Sequence, residues 1–453
     1  MFRPVGKLAN QRWLRVAAAI LFFAAQKISV QANGIYGNGT GAESMAMGGA
    51  DVGWAQGPLA AMGDNPAGLG FLTGKELDLG GVGGMVDGQF SKASADSRGN
   101  LNDTPRALPD GAFGMQLGKT PISVGIAFVP ESMLLADWSY LDPPGGLGGH
   151  VSYGNQTDKS EILVLRSSAG VSVRLNPKLS IGLSLGAVYN KNELVTPYIF
   201  QNLSTPDAGY DGAKTLLDLN TSGFGWNAQI GMLYRPLTNL QFGLSYQNRY
   251  TVDTTGSASG NAGAQFGHPG DSAYSFNYHA QVDNTFPNQI SLGGSWKFLP
   301  NWRLAAEVDW IDWAGAFDNL PVKLSNGSGT IVTGALGKSL QDSIPLDWKN
   351  EFVYRVGLEY APVKNLFLRA GYCYGNSPVP DSTLTPMNAA IMEHTITAGI
   401  GYRWRAYELD LAYQCSLPAT QNVGTSALRD GEYSNSSTTV FANLFALTMK
   451  VNF

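Results

Sequence analysis

Side chains that could do catalytic chemistry are scarce in this chain. Its 453 residues include two cysteines and four histidines, and the histidines stand far apart at His150, His268, His279 and His394. A covalent hydrolase needs a nucleophile beside a positioned base, and no G-x-S-x-G element stands between a predicted strand and a predicted helix. The histidines and cysteines also lack the spacing of a zinc site. We therefore expect no enzymatic activity, no cofactor and no metal site.

Arginines offer a second kind of chemistry, the binding of a carboxylate. Arg355 and Arg369 lie on the polar faces of two alternating segments, and a guanidinium binds a planar carboxylate with two hydrogen bonds. An arginine left unpaired at such a position could receive the carboxylate of a fatty acid. The alternative is an ion-pair network with acidic residues of neighbouring segments, such as Glu307 and Glu359.

Apolar side chains cluster in two long connections, 191–221 and 251–286. The cluster residues are Tyr198, Ile199, Phe200, Leu216, Leu217, Phe266 and Phe276. Exposed apolar clusters in loops indicate either ligand binding or packing between the loops. We predict that these side chains capture an apolar ligand at the protein surface, with loop packing as the alternative.

The composition indicates which elements must position these groups. Only 14% of the residues are charged, whereas aromatic residues reach 11% and glycines number 56. A typical soluble domain is about 25% charged, and a disordered chain would have few aromatics. The net charge of −5, without a Lys/Arg cluster, argues against nucleic-acid binding. No apolar run of about 20 residues follows the first thirty, so membrane helices are not expected either. The remaining class is a membrane β-barrel.

The N-terminus has the layout of a signal peptide. Four basic residues precede the apolar stretch VAAAILFFAA, and Val30-Gln31-Ala32 supplies small residues for cleavage after Ala32. A membrane anchor is the alternative, but the apolar core is short for one and Lys27 interrupts its end. We therefore expect residues 1–32 to direct export.

Fourteen segments of the mature chain alternate apolar and polar residues with period two. They cover residues 75–90, 107–118, 120–130, 162–175, 178–190, 222–235, 239–250, 287–298, 302–313, 351–361, 365–376, 394–404, 406–416 and 440–453. Their connections are alternately short and long, which is the pattern of an outer-membrane barrel. The sequence predicts an all-β protein, a fourteen-stranded antiparallel transmembrane barrel over residues 75–453, ending in the outward-facing Phe453.

Residues 33–74 do not alternate, and they are dense in glycine, alanine and methionine. They contain no basic residue and only three acidic ones, Glu43, Asp51 and Asp64, whereas a solvated tail would be more charged. We predict a plug inside the barrel with short helices at most; a periplasmic tail is the alternative. Within it, Pro66 forces Asn65 toward extended backbone, so Asn65, Pro66 and Ala67 form a defined bend.

Several stretches resemble one family. NGIYGNGTGAESMAMGGADVGWAQ followed by GDNPAGLGFL resembles the N-terminal hatch of FadL-type outer-membrane transporters of long-chain fatty acids and hydrophobic compounds. FPNQISLGGSWKF, AAEVDWIDW and WKNEFVYRVGLEYAPVKNLFLRAGYCYGNSPVPDSTLTP resemble later parts of the same family. Together with the strand count, the resemblance covers essentially the whole mature chain.

The resemblance implies a function and partners. It implies passive uptake of long-chain fatty acids or similar hydrophobic molecules, captured by extracellular loops and released laterally into the membrane. It places Asn65, Pro66 and Ala67 in the hatch below the ligand pocket, and the lateral opening at a kink in the third strand, where Gly125 and Pro130 are the candidates. A general or solute-specific porin is the alternative function, and an outer-membrane hydrolase is a weaker one.

We also expect contacts outside the barrel. A protein of this class resides in the outer membrane as a monomer, among lipid and lipopolysaccharide, and binds no nucleic acid. Phe453 matches the terminal aromatic residue of many outer-membrane barrels, through which the barrel-assembly machinery would recognise the chain.

Overall fold

The strands of the chain form one sheet. A computed structural model describes residues 35–102, 105–204 and 210–453, so the predicted signal peptide lies outside the described residues. The strands are β1 Lys75–Lys92, β2 Ser97–Leu101, β3 Arg106–Gln116, β4 Ile122–Leu141, β5 Asn155–Asn176, β6 Leu179–Ile199, β7 Lys214–Leu237, β8 Leu240–Gln247, β9 Tyr250–Asn261, β10 Ser275–Phe286, β11 Gln289–Leu299, β12 Trp302–Ile311, β13 Asn319–Ser328, β14 Leu340–Pro345, β15 Glu351–Tyr360, β16 Leu366–Gly375, β17 His394–Trp404, β18 Tyr407–Val423 and β19 Ser436–Asn452.

The sheet closes on itself because its first and last strands pair. β1 runs antiparallel to β19 from the pair Glu76–Asn452 to the pair Lys92–Ser436. Four lines of the wall each consist of two consecutive strands, β8 with β9, β10 with β11, β12 with β13 and β14 with β15, while the short β2 continues the line of β3. Fourteen antiparallel lines therefore surround the lumen, which confirms the predicted fourteen-stranded barrel. Closure pairs the backbone groups that lipid could not hydrogen-bond.

Four neighbouring lines of the wall break at the same level. Gln247 at the end of β8 pairs with Gln289 at the start of β11. Beyond the break, Tyr250 at the start of β9 pairs with Phe286 at the end of β10. Short segments likewise separate β12 from β13 and β14 from β15. We call the wall formed by β9, β10, β13 and β14 the upper patch.

The side chains alternate between lipid and lumen as the sequence predicts. Val356 and Leu368 are 40% and 42% exposed, whereas their neighbours Arg355 and Arg369 are 7% and 5% exposed. The outer surface therefore carries the apolar residues and the inner surface carries the polar ones. This arrangement is the reverse of a soluble barrel, and it suits a lipid environment.

The strands extend further toward the long-connection end than predicted. β4 continues to Leu141 instead of ending at residue 130, and β7 begins at Lys214 instead of residue 222. The assignment of five capture residues to loops was therefore wrong, since strands β6, β7 and β10 contain Tyr198, Ile199, Leu216, Leu217 and Phe276. Alternation of apolar and polar residues is weak in these extensions because they have no lipid-facing side. Apolar side chains are buried between segments of the wall instead.

Helices are short throughout the described residues. They are α1 Gly41–Ala46, α2 Pro58–Gly63, α3 Trp313–Ala316 and α4 Thr330–Leu336, and one turn of 3-10 helix covers Pro66–Phe71. None of the helices in the described ranges is long and apolar enough to span a membrane.

The residues before β1, Ile35–Gly74, are called the N-terminal segment here. They contact inward-facing positions of the wall, where glycines permit the two backbones to approach. A Cβ atom added to Gly243 of β8 would lie 1.9 Å from the carbonyl oxygen of Val52, and one added to Gly231 of β7 would lie 2.0 Å from the side-chain oxygen of Asn65. The N-terminal segment can therefore make these contacts only because glycine occupies both wall positions.

Candidate functional site

An apolar cavity lies inside the long-connection end of the barrel. It has a volume of about 140 Å³, and we call it the upper cavity. Strands β4, β5, β6, β13 and β14, together with the segments before β13, β15, β17 and β19, supply its walls. Apolar side chains dominate its lining: Ile35, Leu134, Ile162, Leu194, Ile199, Phe317, Leu320, Ile344, Leu346, Trp348, Met387 and Leu428.

A second apolar cavity adjoins the first. This side cavity measures about 90 Å³ and reaches toward the upper patch. The two cavities share Ile162, Leu194, Tyr198, Leu320 and Ile344 in their linings. Because the same side chains separate the two spaces, small movements of their rotamers could join them.

The structure brings four of the seven predicted capture residues to these cavities. Tyr198 lines both cavities, Ile199 lines the upper one, and Phe200 and Leu217 line the side cavity. The rings of Tyr198 and Phe200 meet edge to face, 5.6 Å apart.

The other three predicted capture residues lie elsewhere. Phe276 is buried beside Tyr278 in the neighbouring apolar cluster, and Leu216 pairs with Pro197 in the wall without lining either cavity. Phe266 stacks on Tyr274 with ring centroids 5.5 Å apart, in the connection after β9.

The linings of both cavities contain no lysine or arginine, but they contain carboxylates. Glu432 lines the upper cavity and pairs with Lys214, whose ammonium group also contacts Asp142 at 2.7 Å. Burial raises the pKa of Glu432 to about 7, while the nearby Lys214 opposes that shift. The only charge that Lys214 could offer a ligand is thus already used by two acidic side chains.

The two predicted carboxylate-binding arginines are paired with acidic side chains, and neither of them lines the upper cavity or the side cavity. Arg355 donates to Asp309 at 2.8 Å and also to Asn38 and the carbonyl oxygen of Gly48 in the N-terminal segment. The condition for binding a fatty acid, an unpaired guanidinium, is therefore not met by Arg355. The alternative weighed for it, an ion-pair network, is what the structure contains.

Arg369 is paired in the same manner. It donates to Glu359 at 2.8 Å and to Asp410 at 2.5 Å. It also lies 3.4 Å from Glu43 of helix α1, so it joins the wall to the N-terminal segment.

Glu43 is the centre of this ionic network. It pairs with Arg303 at 3.1 Å, with Arg369 and with Lys450. Burial favours its neutral form, yet the charges of Lys450, Arg369 and Arg303 hold the pKa of Glu43 well below its usual range. One helix of the N-terminal segment is thus tied to strands β12, β16 and β19.

Three acidic oxygens in this network are close enough to hold a metal ion. They belong to Glu43, Glu408 and Asp410, the one such group among the described residues. The ammonium group of Lys450 contacts all three carboxylates. A fixed cation of the chain itself therefore neutralises them, and the donor set does not call for a metal.

The Asn65-Pro66-Ala67 bend lies against strands β6 and β7. The Asn65 amide donates to the carbonyl oxygens of Val52 at 2.9 Å and Met232 at 3.1 Å, and its side-chain oxygen accepts from the backbone N–H of Ala67 at 3.2 Å. Pro66 packs where Gly182 leaves room in the wall. Asn65 therefore connects two parts of the N-terminal segment to the barrel.

The wall between β3 and β4 has an interruption that begins after Phe128 and includes Pro130. β3 and β4 pair up to Gly111 and Phe128, and the next strand contact of β4 on this side is made by Trp138 with β2. Within the described residues, positions 129–136 of β4 pair with neither β2 nor β3. We call this interruption the wall gap.

Of the two candidates for a lateral opening, Pro130 and Gly125, only Pro130 borders the wall gap. Pro130 is also the site of a register shift against β5. Gly125 pairs regularly with Gly114 and Gly170, so its expected place at an interruption was wrong. A Cβ at Gly125 would meet Leu69 of the N-terminal segment at 3.0 Å, which explains the glycine by close packing.

The N-terminal segment begins at the wall gap. Ile35 accepts a hydrogen bond from the backbone N–H of Met133 at 2.9 Å, and Tyr36 forms a bridge with Ser132. Two residues of the segment thus partner part of the β4 edge from the inside. Ile35 also lines the upper cavity, so the cavity and the wall gap adjoin.

A polar chamber separates the apolar cavities from the body of the N-terminal segment. It has a volume of about 80 Å³ and is lined by Glu131, Arg166, Glu307 and Arg355 together with Asp64 of the segment. Burial raises the pKa of Asp64 to about 6. An apolar molecule would lose its favourable surroundings on entering this space.

Sequence reasoning missed most of the upper cavity. Leu320, Ile344 and Trp348 fall within the long connection predicted between residues 313 and 351, where no single apolar residue stands out. Glu131 was also missed, although its position directly after Pro130 in an apolar strand was a usable signal. An acidic residue at the end of such a strand requires partners if it points inward.

Comparison with known proteins identifies a single family. The pattern of the family described as "Outer membrane protein transport protein (OMPP1/FadL/TodX)" matches residues 22–453. No curated protein sequence matches the chain significantly.

Solved structures share the fold at low sequence identity. The toluene transporter TbuX of Ralstonia pickettii superposes with a TM-score of 0.70 at 21% identity, covering 92% of this chain and 99% of TbuX. A FadL homologue of Pseudomonas aeruginosa gives 0.71 at 15% identity, covering 93% and 100%. The P. putida toluene transporter TodX gives 0.71 at 19% identity, covering 92% and 99%.

Proposed function

This chain belongs to the outer membrane protein transport family (OMPP1/FadL/TodX), and on that premise we propose that it admits compact apolar molecules, of about the size of one aromatic ring, across the outer membrane. The observation that carries the proposal is the upper cavity, about 140 Å³ with a mainly apolar lining. A dry apolar cavity of about 150 Å³ is sufficient to bind benzene. A long acyl chain requires several times that volume.

The charges around the cavities favour a neutral ligand over a fatty acid. The upper cavity offers Glu432 and no lysine or arginine, and the side cavity has Glu161, Glu193 and Asp342 in its lining. A fatty-acid carboxylate placed there would face like charges and lack a cationic partner. TbuX and TodX, two proteins of similar structure, are toluene transporters, which is consistent with this preference.

The proposed route begins at the long-connection end, which faces outward in barrels of this type. The solute passes from the side and upper cavities to the wall gap and leaves sideways into the membrane. The polar chamber supports a lateral exit, because it makes the direct path toward the short-turn end unfavourable for an apolar molecule.

The N-terminal segment, which belongs to the predicted plug of residues 33–74, is proposed to close the lumen against polar solutes. Its buried side chains and its ion pairs to strands β12, β16 and β19 support that role. Deleting residues 35–70 should leave a membrane-inserted barrel with raised ion conductance in planar bilayers. Unchanged conductance would favour the alternative of a tail outside the pore.

The remaining proposals concern residence in the outer membrane. After export directed by residues 1–32, the chain would be assembled as a monomer among lipid and lipopolysaccharide. The exposed Phe453 at the C-terminus is the proposed contact with the barrel-assembly machinery.

The substrate proposal is tested by filling the cavity. Ile344 lines both cavities, so Ile344→Trp should lower the uptake of radiolabelled toluene by about tenfold if the extra volume costs 1–3 kcal/mol of binding. Ile331→Trp, at a position 41% exposed on helix α4, is the matched control and should leave uptake unchanged.

Oleate uptake distinguishes the two ligand classes in the same cells. The proposal predicts toluene uptake well above that of a barrel-free strain, and oleate uptake equal to it. Oleate uptake that depends on the protein and falls in Ile344→Trp would instead assign the cavity to fatty acids. Equal passage of sugars in liposome swelling would indicate a porin.

A further inference from the structure

The wall gap is a place where two adjacent strands, β3 and β4, do not pair. Residues 106–110 of β3 and 129–136 of β4 do not pair across the gap, beside the lipid-facing Phe128. Ser132 and Met133 have partners in the N-terminal segment, Tyr36 and Ile35, instead of in β3. Unpaired backbone groups next to lipid cost several kcal/mol each, so two adjacent strands would normally close such a gap. Something must hold β4 away from β3.

Pro130 accounts for part of the separation. It has no backbone N–H to donate to a neighbouring strand, and the register against β5 shifts between Pro130 and Ser132. A missing donor removes one hydrogen bond, but it does not by itself keep the following residues, up to Ala136, out of the ladder. The residue inside the bulge, Glu131, is the second element.

The Glu131 side chain is held by residues of four other strands. It accepts from Gln247 at 2.6 Å, from the Tyr250 hydroxyl at 3.2 Å and from Asn227 at 3.4 Å, and it pairs with Arg166 at 3.2 Å. These partners stand on β8, β9, β7 and β5. The Glu131 side chain is only 6% exposed, so water does not replace these contacts.

We propose that Glu131 is a positioning residue for the wall gap: its ties to these four strands hold the β4 bulge inward, so that β3 and β4 stay apart. Because the gap is the exit in the proposed function, the consequence for transport rests on that function. The mechanical part does not, since it concerns only whether two strands pair.

Arg166 extends this tie to the N-terminal segment. It donates to the carbonyl oxygen of Gly63 at 3.0 Å while pairing with Glu131. Gln229 donates to the carbonyl oxygen of Asp64 at 2.8 Å beside it. The guanidinium of Arg166 therefore connects the β4 bulge to the N-terminal segment.

Hydrogen–deuterium exchange of the membrane-embedded protein tests the mechanical part. In Glu131→Ala the bulge is released and β4 can straighten against β3. Among Arg106, Ala107, Leu108 and Asp110, the amides that face the gap should then exchange about tenfold more slowly as they gain partners. Glu131→Gln keeps the side-chain length and one acceptor, so we expect an intermediate rate. Exchange within twofold of the natural protein, or faster exchange, in Glu131→Ala would overturn the proposal.

Two further variants keep the test decisive. Asp342→Ala removes a buried carboxylate of β14 that accepts from the Tyr198 hydroxyl and from the backbone N–H of Gln201, and it should not alter exchange at residues 106–110. If Glu131→Ala does not fold, Gln247→Leu removes the shortest tie alone and should slow the same amides by a smaller factor. No change in Gln247→Leu would then overturn the proposal.

Toluene uptake gives the second readout. Glu131→Ala should lower uptake together with the slower exchange, and Glu131→Gln should restore part of both. Slower exchange with undiminished uptake would support the role of Glu131 in separating β3 from β4, but it would show that the exit lies elsewhere. Absence of toluene uptake in the natural protein would refute the proposed function and leave the exchange result intact.

Discussion

The two ends of the lumen differ in chemical character: one is rich in ion pairs and the other is apolar. Toward the short turns, the N-terminal segment meets the wall through Glu43, Arg369 and Lys450, and through glycines that admit its backbone. Toward the long connections, the wall encloses apolar cavities with no lysine or arginine in their linings. The first end fixes one position of a segment by charge and close contact, whereas the second offers space and little directional bonding.

This difference indicates a division of labour within one barrel. Buried ionic contacts are expensive to break singly, because each loss leaves a partner charge without compensation. Apolar contacts are non-directional and tolerate rearrangement. The charged end is thus suited to remaining shut, and the apolar end is suited to admitting molecules of varied shape.

The largest effect should come from Glu43→Ala. The change leaves Arg303, Arg369 and Lys450 without a shared counter-charge, and losing one partner of a buried pair typically costs about 3–5 kcal/mol. We expect the N-terminal segment to loosen, with raised bilayer conductance and a lower unfolding temperature.

The control for Glu43→Ala is an exposed ion pair of the same chemistry. Asp283 pairs with Lys323 at 2.9 Å, and the Lys323 side chain is 46% exposed. Exposed pairs contribute about 0–1 kcal/mol, so Asp283→Ala should leave conductance unchanged. Equal effects of the two substitutions would contradict the contrast between the two ends.

Phe200→Ala probes the apolar end. Phe200 is 3% exposed beside the side cavity, and truncating a buried phenylalanine costs about 3–5 kcal/mol at most. The loss should lower the unfolding temperature without raising conductance, because the ionic network stays intact. The enlarged cavity should also admit bulkier aromatic solutes. A conductance increase as large as that of Glu43→Ala would show that the two ends respond as one unit, which would contradict the contrast between them.

Asn65→Ala should have an intermediate effect. It removes donors from the carbonyl oxygens of Val52 and Met232 and an acceptor from Ala67, and buried groups left without partners cost about 1–3 kcal/mol. Thermal unfolding with conductance as a second readout measures it. Gln56→Ala, an exposed change in the same segment, should be neutral; matching effects of both would remove the special role of the bend.

The smallest effect concerns pH and Asp64. Burial raises its pKa from 3.8 to about 6, so the folded state holds a proton that the unfolded state has released between those values. Stability should therefore fall as pH rises through this window and level off above about 6. Asp64→Asn should flatten that part of the curve of unfolding temperature against pH. An unaltered curve would show that Asp64 is solvated in the folded protein.

Sequence alone could predict the transmembrane wall because lipid enforces alternation on it. Val356 and Leu368 face lipid, and their neighbours Arg355 and Arg369 face the lumen, as period two requires. Beyond the lipid band this rule lapses, since both faces of a strand can be buried, and Tyr198 and Leu217 were read as loop residues for that reason. Periodicity gives the strands but not their length above the membrane.

The site itself depends on contacts that no local pattern encodes. Ile344 and Trp348 enter the upper cavity only because β14 and the following turn fold back beside β6. Glu131 contacts Asn227, Gln247 and Tyr250, which lie on strands more than ninety residues away. Proximity of this kind follows from closure of the ring, and it can be read from a sequence only after the register of every strand is known.

The common break in four wall lines gives the upper patch a separate architectural status. Its strands β9, β10, β13 and β14 connect to the lower wall through short links at one height, and β9 pairs with the upper part of β7. Replacement of the upper patch by a homologous one would exchange part of the binding surface while leaving the lipid-embedded cylinder untouched.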